Sequence, residues 1–132
     1  MHQLLLIAVG GSLGAIARYG LSTIIYNNIN TLFPWGTLIV NLTGCFFIGV
    51  FIELFETTII PVQWRSFITI GFLSAYTTFS TYSLETINLL REGEIGLAVS
   101  NIFWSNFIGI TLVLIGIYFS RLIISFFLRI NT

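Results

Sequence analysis

The sequence has no lysine, and charged residues of every kind make up only 8% of its 132 positions, against about 25% in an ordinary soluble domain. The formal net charge is zero, which gives no reason to expect nucleic acid or an acidic partner. Hydrophobic residues account for 56% of the chain. A soluble domain of this length has too much surface for its volume to bury them all, so the composition predicts an integral membrane protein.

Cysteine and histidine each occur once, which excludes several classes of function. Cys45 lies in an apolar run, cannot form an intrachain disulfide, and is interpreted as a small buried residue. His2 stands at the very start of the chain, and no metal-ligand spacing is present. The glycines of Gly10-Gly11-x-x-Gly14 lie within an apolar segment with no strand before it, unlike a nucleotide-binding loop. We therefore expect no enzyme.

Four apolar segments are long enough to cross a bilayer as helices, for which about 20 residues suffice. Helices are the expected form because backbone groups in lipid must pair internally. Met1-His2-Gln3 places no basic residue before the first segment, so no cleaved signal peptide is expected. We predict one all-α multi-pass domain, residues 1–132, in the cell (plasma or inner) membrane. Its predicted spans are residues 4–25, 36–55, 67–90 and 97–126.

The orientation of these spans is encoded by few charges. With both termini cytoplasmic, the inner side carries Arg65, Arg121 and Arg129, and the outer side carries Arg91. This arrangement agrees with the positive-inside rule. So small a difference in arginine count between the two sides is also compatible with insertion in either direction, or with pairing to an oppositely oriented copy.

Two polar side chains in the first two spans are candidate functional residues, since such groups are costly in lipid. Arg18 follows a glycine-rich stretch whose smooth surface allows a second helix to pack closely. It either lines a water-filled vestibule that attracts anions or snorkels to the interface. Asn41 needs a hydrogen-bond partner, which is another helix, water or a ligand.

The third span is rich in hydroxyl side chains, with six Ser or Thr among the ten residues from Ser74 to Ser83. These hydroxyls compete for backbone groups, so we predict a break near residues 74–78, whose freed carbonyls line a cavity or hold a small cation. Phe79 and Tyr82, three apart, share one helical face. They either pack or present positive ring edges to an anion. Glu85 is a second buried-charge candidate.

Three sequence blocks together resemble the Fluc (CrcB) family of bacterial and archaeal fluoride channels, and the likeness covers essentially the whole chain. Each block alone is weakly specific, whereas the three in this order and spacing are highly specific. They are Ala15-Ile16-Ala17-Arg18-Tyr19, Gly36-Thr37-Leu38-Ile39-Val40-Asn41, and Thr77-Thr78-Phe79-Ser80-Thr81 followed by Ser83 and Glu85.

The resemblance implies a passive, fluoride-selective channel that exports fluoride and lowers its toxicity. It implies a dual-topology dimer of two antiparallel subunits, with two pores along their interface. It also implies a structural sodium ion, which is not transported, held by backbone carbonyls of Ser74 and Thr77. The resemblance further implies that Asn41 donates to fluoride, that Phe79 and Tyr82 are pore aromatics, and that Arg18 lies in a vestibule. It implies polar pore positions at Ser80, Thr81 and Ser83. Glu85 and Asn106 are further polar candidates.

The sequence departs from the family pattern in the third and fourth spans. Ser74-Ala75 stands where the family usually has Gly-Gly, and Tyr82 stands where it usually has Phe. Polar positions in the fourth span are reduced, since Ile110 and Leu114 follow Asn106. Because some organisms carry two such genes whose products pair, one half of a heterodimeric channel is an alternative.

Two further classes stay open as alternatives. A small multidrug transporter is not one of them, because it needs a carboxylate early in its first span, where this chain has Arg18 and no acid. A small proton-coupled exporter would use Glu85 instead. A purely structural subunit would fold and dimerise without passing ions.

Overall fold

The computed structural model describes residues 2–130, with side chains described for all of these except Phe127, Leu128 and Ile130. Within this range the chain is helical and contains no strand. The helices of the described chain are α1 His2–Asn28, α2 Trp35–Thr57, α3 residues 62–76 (π-helical over Phe67–Leu73), α4 Phe79–Arg91, and α5 residues 95–130 (π-helical over Trp104–Ile108). Helices α1, α2 and α4 are therefore regular, whereas α3 and α5 each contain a π-helical segment.

Three helices of the described chain are long and apolar enough to cross a membrane: His2–Asn28, Trp35–Thr57 and Ile95–Phe126. The remaining predicted span, residues 67–90, is divided between α3 and α4. The break lies at Thr77 and Thr78, inside the predicted interval 74–78. The prediction of four helical segments with one of them interrupted is therefore confirmed.

Glycines allow α1 and α3 to pack at backbone contact. A Cβ atom added to Gly14 would lie 2.2 Å from the carbonyl oxygen of Phe72, and one added to Gly10 would lie 2.6 Å from that of Phe67. From the other side, a Cβ on Gly71 would lie 2.9 Å from the carbonyl oxygen of Ile7. Small residues that let backbones approach are typical of helix packing in membranes, and this packing holds α3 against α1 up to the break.

A second close contact joins α2 to α5. A Cβ on Gly49 would lie 2.2 Å from the carbonyl oxygen of Val113, and one on Gly116 would lie 2.2 Å from that of Phe46.

The chain reverses between α4 and α5 at Gly93, whose φ of 81° is in the left-handed region that glycine adopts without strain. The short turn between α4 and α5 is formed by residues 92–94.

Large apolar side chains cover much of the described outer surface. Phe79 is 78% exposed, Tyr19 73% and Leu4 71%. Such a surface is unfavourable in water and favourable against lipid or a second membrane subunit.

Candidate functional site

The break between α3 and α4 is built by two threonines in extended conformation. Thr77 has φ −83° and ψ 159°, and Thr78 has φ −149° and ψ 120°. β-Branched side chains favour such extended backbone angles. The Oγ1 of Thr78 then accepts a hydrogen bond from the N–H of Thr81 at 3.2 Å, which caps the new helix α4.

Asn41 of α2 pairs with both backbone groups of the break. Its Nδ2 donates to the carbonyl oxygen of Thr78 at 2.9 Å, and its Oδ1 accepts from the N–H of Thr78 at 2.8 Å. The amide therefore replaces the helical acceptor that the Thr78 N–H lacks and adds a second donor to the carbonyl that caps α4. An Asn side chain has two N–H donors, so one hydrogen of Asn41 Nδ2 stays free for a ligand.

The break also frees the two carbonyls that the sequence analysis singled out. In a continuous helix, the N–H of residue 78 would donate to Ser74 and that of residue 81 to Thr77. Here the N–H of Thr78 donates to Asn41, and that of Thr81 donates to the Thr78 side chain. The carbonyl oxygens of Ser74 and Thr77 therefore have no helical donors.

A cavity of about 330 Å³ opens beside the break. It brings together predicted residues from four different helices. Its lining is Asn41, Gly44, Cys45, Ile48, Thr69, Leu73, Ser74, Thr77, Thr78, Phe79, Tyr82, Ser105 and Asn106. None of these residues carries a formal charge, so the cavity offers neutral donors, acceptors and ring edges.

The aromatic pair forms one wall of the cavity. The ring centroids of Phe79 and Tyr82 lie 5.5 Å apart with a 46° angle between their planes. Phe79 is largely exposed in the single chain, whereas Tyr82 is half-buried. Asn106 of α5 reaches the Tyr82 hydroxyl with its Nδ2 at 3.2 Å. The predicted shared face of Phe79 and Tyr82 is therefore present.

Three predicted pore positions lie outside the lining of this cavity in the single chain. Ser80 and Thr81 are exposed, and their hydroxyls lie 3.3 Å and 3.0 Å from Thr78 Oγ1. Ser83 donates to the carbonyl oxygen of Phe79 at 2.9 Å. Their assignment to a pore stays a prediction.

Glu85 lies at a separate cavity of about 300 Å³ near the α1–α2 loop. Its Oε1 accepts hydrogen bonds from Tyr26 Oη and from Thr37 Oγ1, both at 2.8 Å. Its Oε2 is buried and has no hydrogen-bond partner among the described residues. The sequence marked Glu85 as a buried charge, but its partners on α1 and α2 were not foreseen.

Arg18 lines neither cavity. It is half-buried on α1, and its guanidinium has no hydrogen bond or ion pair within residues 2–130. The choice between a vestibule and a snorkelling arginine therefore stays open.

One ion pair was not predicted from the sequence. Glu53 of α2 is 5% exposed, and its Oε1 accepts from Arg121 Nε of α5 at 2.9 Å. Both charges are visible in the sequence, but their pairing depends on the close packing of α2 on α5. A charge near the end of each of these two spans was the only signal for it.

One family model and several known proteins are similar to this chain. The family model for "CrcB-like protein, Camphor Resistance (CrcB)" matches residues 5–117. A protein of Salinibacter ruber named fluoride-specific ion channel FluC is 47% identical over 116 residues, which cover 88% of this chain and 87% of that protein. Proteins of the same name from Magnetococcus marinus (41% identical, 92% and 99% covered) and Thermus thermophilus (40% identical, 88% and 93% covered) are also similar.

Proposed function

The chain belongs to the CrcB family, and on that premise we propose that it forms a fluoride-selective, passive channel of the cell membrane, and not an enzyme. Fluoride entering the cell as the neutral acid would leave through it as the anion, which lowers its cytoplasmic toxicity. The observation that carries this proposal is the uncharged cavity beside the helix break.

The chemistry of that cavity suits a small anion that must bind and leave. Asn41 offers a free amide hydrogen, and Phe79 and Tyr82 offer ring edges with positive partial charge. A fixed positive charge at this point would hold the anion too tightly for conduction. Neutral donors therefore support permeation rather than storage.

A second subunit, inserted antiparallel, is part of the proposal. Phe79 borders the cavity and yet is 78% exposed in the single chain. A pore wall needs protein on its far side, because water-filled polar paths in a membrane are enclosed. The second copy of this chain, or a paralogue, would supply that side.

A structural sodium ion at the subunit interface is also part of the proposal, and the donors at the break fit it. The carbonyl oxygens of Ser74 and Thr77 are released from helical pairing, and a hard cation prefers oxygen ligands of this kind. Ser74 has ordinary right-handed angles (φ −66°, ψ −32°), and Gly93 is the single residue with positive φ in the described chain. The Ser74-Ala75 pair therefore needs no glycine. Sodium bound there would hold the breaks of the two subunits together as a structural ion and would not be transported.

The test is fluoride efflux from liposomes that contain this protein alone, followed with a fluoride electrode. We expect rapid efflux in sodium, no matching chloride efflux, and slower efflux when sodium is replaced by a large organic cation. Equal fluoride and chloride efflux would contradict fluoride selectivity.

Two outcomes point to the alternatives. If well-folded protein is silent alone but conducts after co-expression with a paralogue, it is one half of a heterodimer. If fluoride movement follows an imposed pH gradient instead of the fluoride gradient, the protein is a proton-coupled exporter, and Glu85→Gln should stop it.

A further inference from the structure

The hydrogen bonds of Asn106 have a fixed direction. Its Nδ2 lies 2.8 Å from the carbonyl oxygen of Ile102 and 3.2 Å from the hydroxyl oxygen of Tyr82. A carbonyl oxygen only accepts, so the amino group of Asn106, and not its Oδ1, faces Ile102. An amide nitrogen only donates, so Asn106 is the donor in both bonds.

The hydroxyl of Tyr82 is therefore an acceptor toward Asn106, and its own proton needs a different acceptor. Within residues 2–130 no side chain or carbonyl accepts this proton. Tyr82 and Asn106 both line the 330 Å³ cavity. The O–H group therefore has to find its acceptor among the contents of the cavity or on a second subunit.

We propose that the Tyr82 hydroxyl donates a hydrogen bond to the permeating fluoride ion and that Asn106 is the residue that positions it. This inference rests on the channel function proposed above. It assigns a role to the tyrosine that differs from that of a ring edge: the phenol gives a second neutral, directional donor beside Asn41.

The advantage of such a donor is strength without net charge. An O–H bonded to an anion is shorter and about twice as strong as a neutral pair, yet it adds no fixed positive charge to trap the ion. Fluoride, the smallest halide, accepts more strongly than chloride does. The hydroxyl should therefore favour fluoride over chloride.

Asn106 acts through Tyr82. By occupying the acceptor side of the phenol oxygen, it limits the O–H to directions away from α5. The Phe79 ring, with its centroid 5.5 Å from that of Tyr82, restricts the tyrosine ring from the neighbouring turn of α4. Loss of the Asn106 amide would leave the hydroxyl present but unoriented.

The test compares fluoride flux at a series of fluoride concentrations for wild type, Tyr82→Phe, Asn106→Leu and the double variant. We expect Tyr82→Phe to raise the half-saturating fluoride concentration about tenfold, as about 1.4 kcal/mol of lost binding would, with chloride flux no lower. Asn106→Leu alone should raise the half-saturating fluoride concentration about threefold. Added to Tyr82→Phe, it should cause no further rise. The matched control is Tyr76→Phe, which removes a hydroxyl bonded to Thr43 at 2.8 Å outside the cavity; its half-saturation should not change.

Two flux results would overturn the inference. Unchanged half-saturation in Tyr82→Phe would show that the hydroxyl is not a ligand. Additive effects of the two substitutions would show that Asn106 does not act through Tyr82.

A binding measurement separates this inference from the channel proposal. The chain has five tyrosines, so ring-labelled protein should give five Cζ signals by NMR. Fluoride, and not chloride, should shift the signal that Tyr82→Phe removes. If no signal shifts, the inference fails even in a protein that conducts; if wild type passes no fluoride, alone or with a paralogue, but this signal shifts, the channel proposal fails and the binding role stands.

Discussion

Replacing Asn41 with leucine should destabilise the protein at one identifiable place, the break between α3 and α4. Leucine keeps the approximate volume of the side chain but removes the donor to the Thr78 carbonyl (2.9 Å) and the acceptor for the Thr78 N–H (2.8 Å). The Thr78 N–H then loses its partner in a region where water is scarce, whereas the Thr78 carbonyl keeps the first helical bond of α4.

The expected magnitude follows from the orphaned N–H. An unsatisfied buried polar group costs about 1–3 kcal/mol, whereas interhelical side-chain bonds in membrane proteins average about 0.6 kcal/mol because alternative partners exist. The Thr78 N–H is held in extended backbone, outside the helical ladder of α3. We therefore expect Asn41→Leu to lower the free energy of unfolding by about 2 kcal/mol, the middle of the first range.

The assay is equilibrium unfolding by SDS in mixed micelles, followed by the fluorescence of the three tryptophans. Thr43→Val is the matched control on the same helix, since it removes one hydroxyl bonded to Tyr76 at 2.8 Å and leaves no backbone group of the break unpaired. Its cost should be about 1 kcal/mol. Hydrogen exchange at the Thr78 amide should also accelerate in Asn41→Leu and not in Thr43→Val.

Equal destabilisation by the two substitutions, with unchanged protection of the Thr78 amide, would refute this reasoning. It would mean that water or a second subunit, and not Asn41, satisfies the break.

Three further substitutions test the site and the packing that supports it. Phe79→Ile removes a ring edge and keeps apolar bulk, so fluoride flux should fall below detection while the proposed dimer persists on gel filtration; Phe103→Ile, at a ring outside the cavity lining, should conduct normally. Asn41→Asp keeps the acceptor for the Thr78 N–H but places a negative charge in the proposed path of the anion. The repulsion between the two charges is about 3 kcal/mol at 5 Å and an effective dielectric of 20, so fluoride flux should fall about a hundredfold. Unchanged conduction would show that Asn41 does not line the pore. Gly14→Ala puts a methyl group where a Cβ would meet the Phe72 carbonyl at 2.2 Å and should cost about 1–3 kcal/mol, whereas Gly20→Ala, with nothing within 4 Å, should be neutral; equal stability of the two would contradict the packing of α1 on α3.

The sequence predicted the helix break because its causes are local. Hydroxyl side chains compete for backbone groups, and the consecutive Thr77 and Thr78 favour extended angles. The shared face of Phe79 and Tyr82 is equally local, since it depends only on a spacing of three along one helix. Features of this kind can be read without knowing which helices are neighbours.

The partners of the polar side chains were not predictable in the same way. Asn41 clearly needed a partner, but that the partner is the backbone of Thr78 depends on how α2 packs against the break. The contacts of Glu85 with Tyr26 and Thr37 join three helices. A single sequence shows that a buried polar side chain needs a hydrogen bond, but it does not show which group forms that bond.

The π-helical segments are the second feature without a sequence signal. A π turn accommodates one extra residue in a helix and often occurs at functional sites. The segment Trp104–Ile108 carries Asn106, whose amide then reaches Tyr82 of α4. No compositional feature distinguishes these five residues from the helix around them, so the role of Asn106 emerged only from the structure.

Asn41 and Asn106 have different roles in the candidate site. Each uses one amide hydrogen on a backbone carbonyl, Asn41 on Thr78 and Asn106 on Ile102, which fixes its orientation. The second hydrogen of Asn41 stays free for an anion, whereas that of Asn106 holds the Tyr82 hydroxyl. Because every donor in this arrangement is neutral and already oriented before an ion arrives, selectivity should depend on the direction of these N–H and O–H groups. A substitution that turns one of them should therefore lower the preference for fluoride over chloride before it closes the path to both ions.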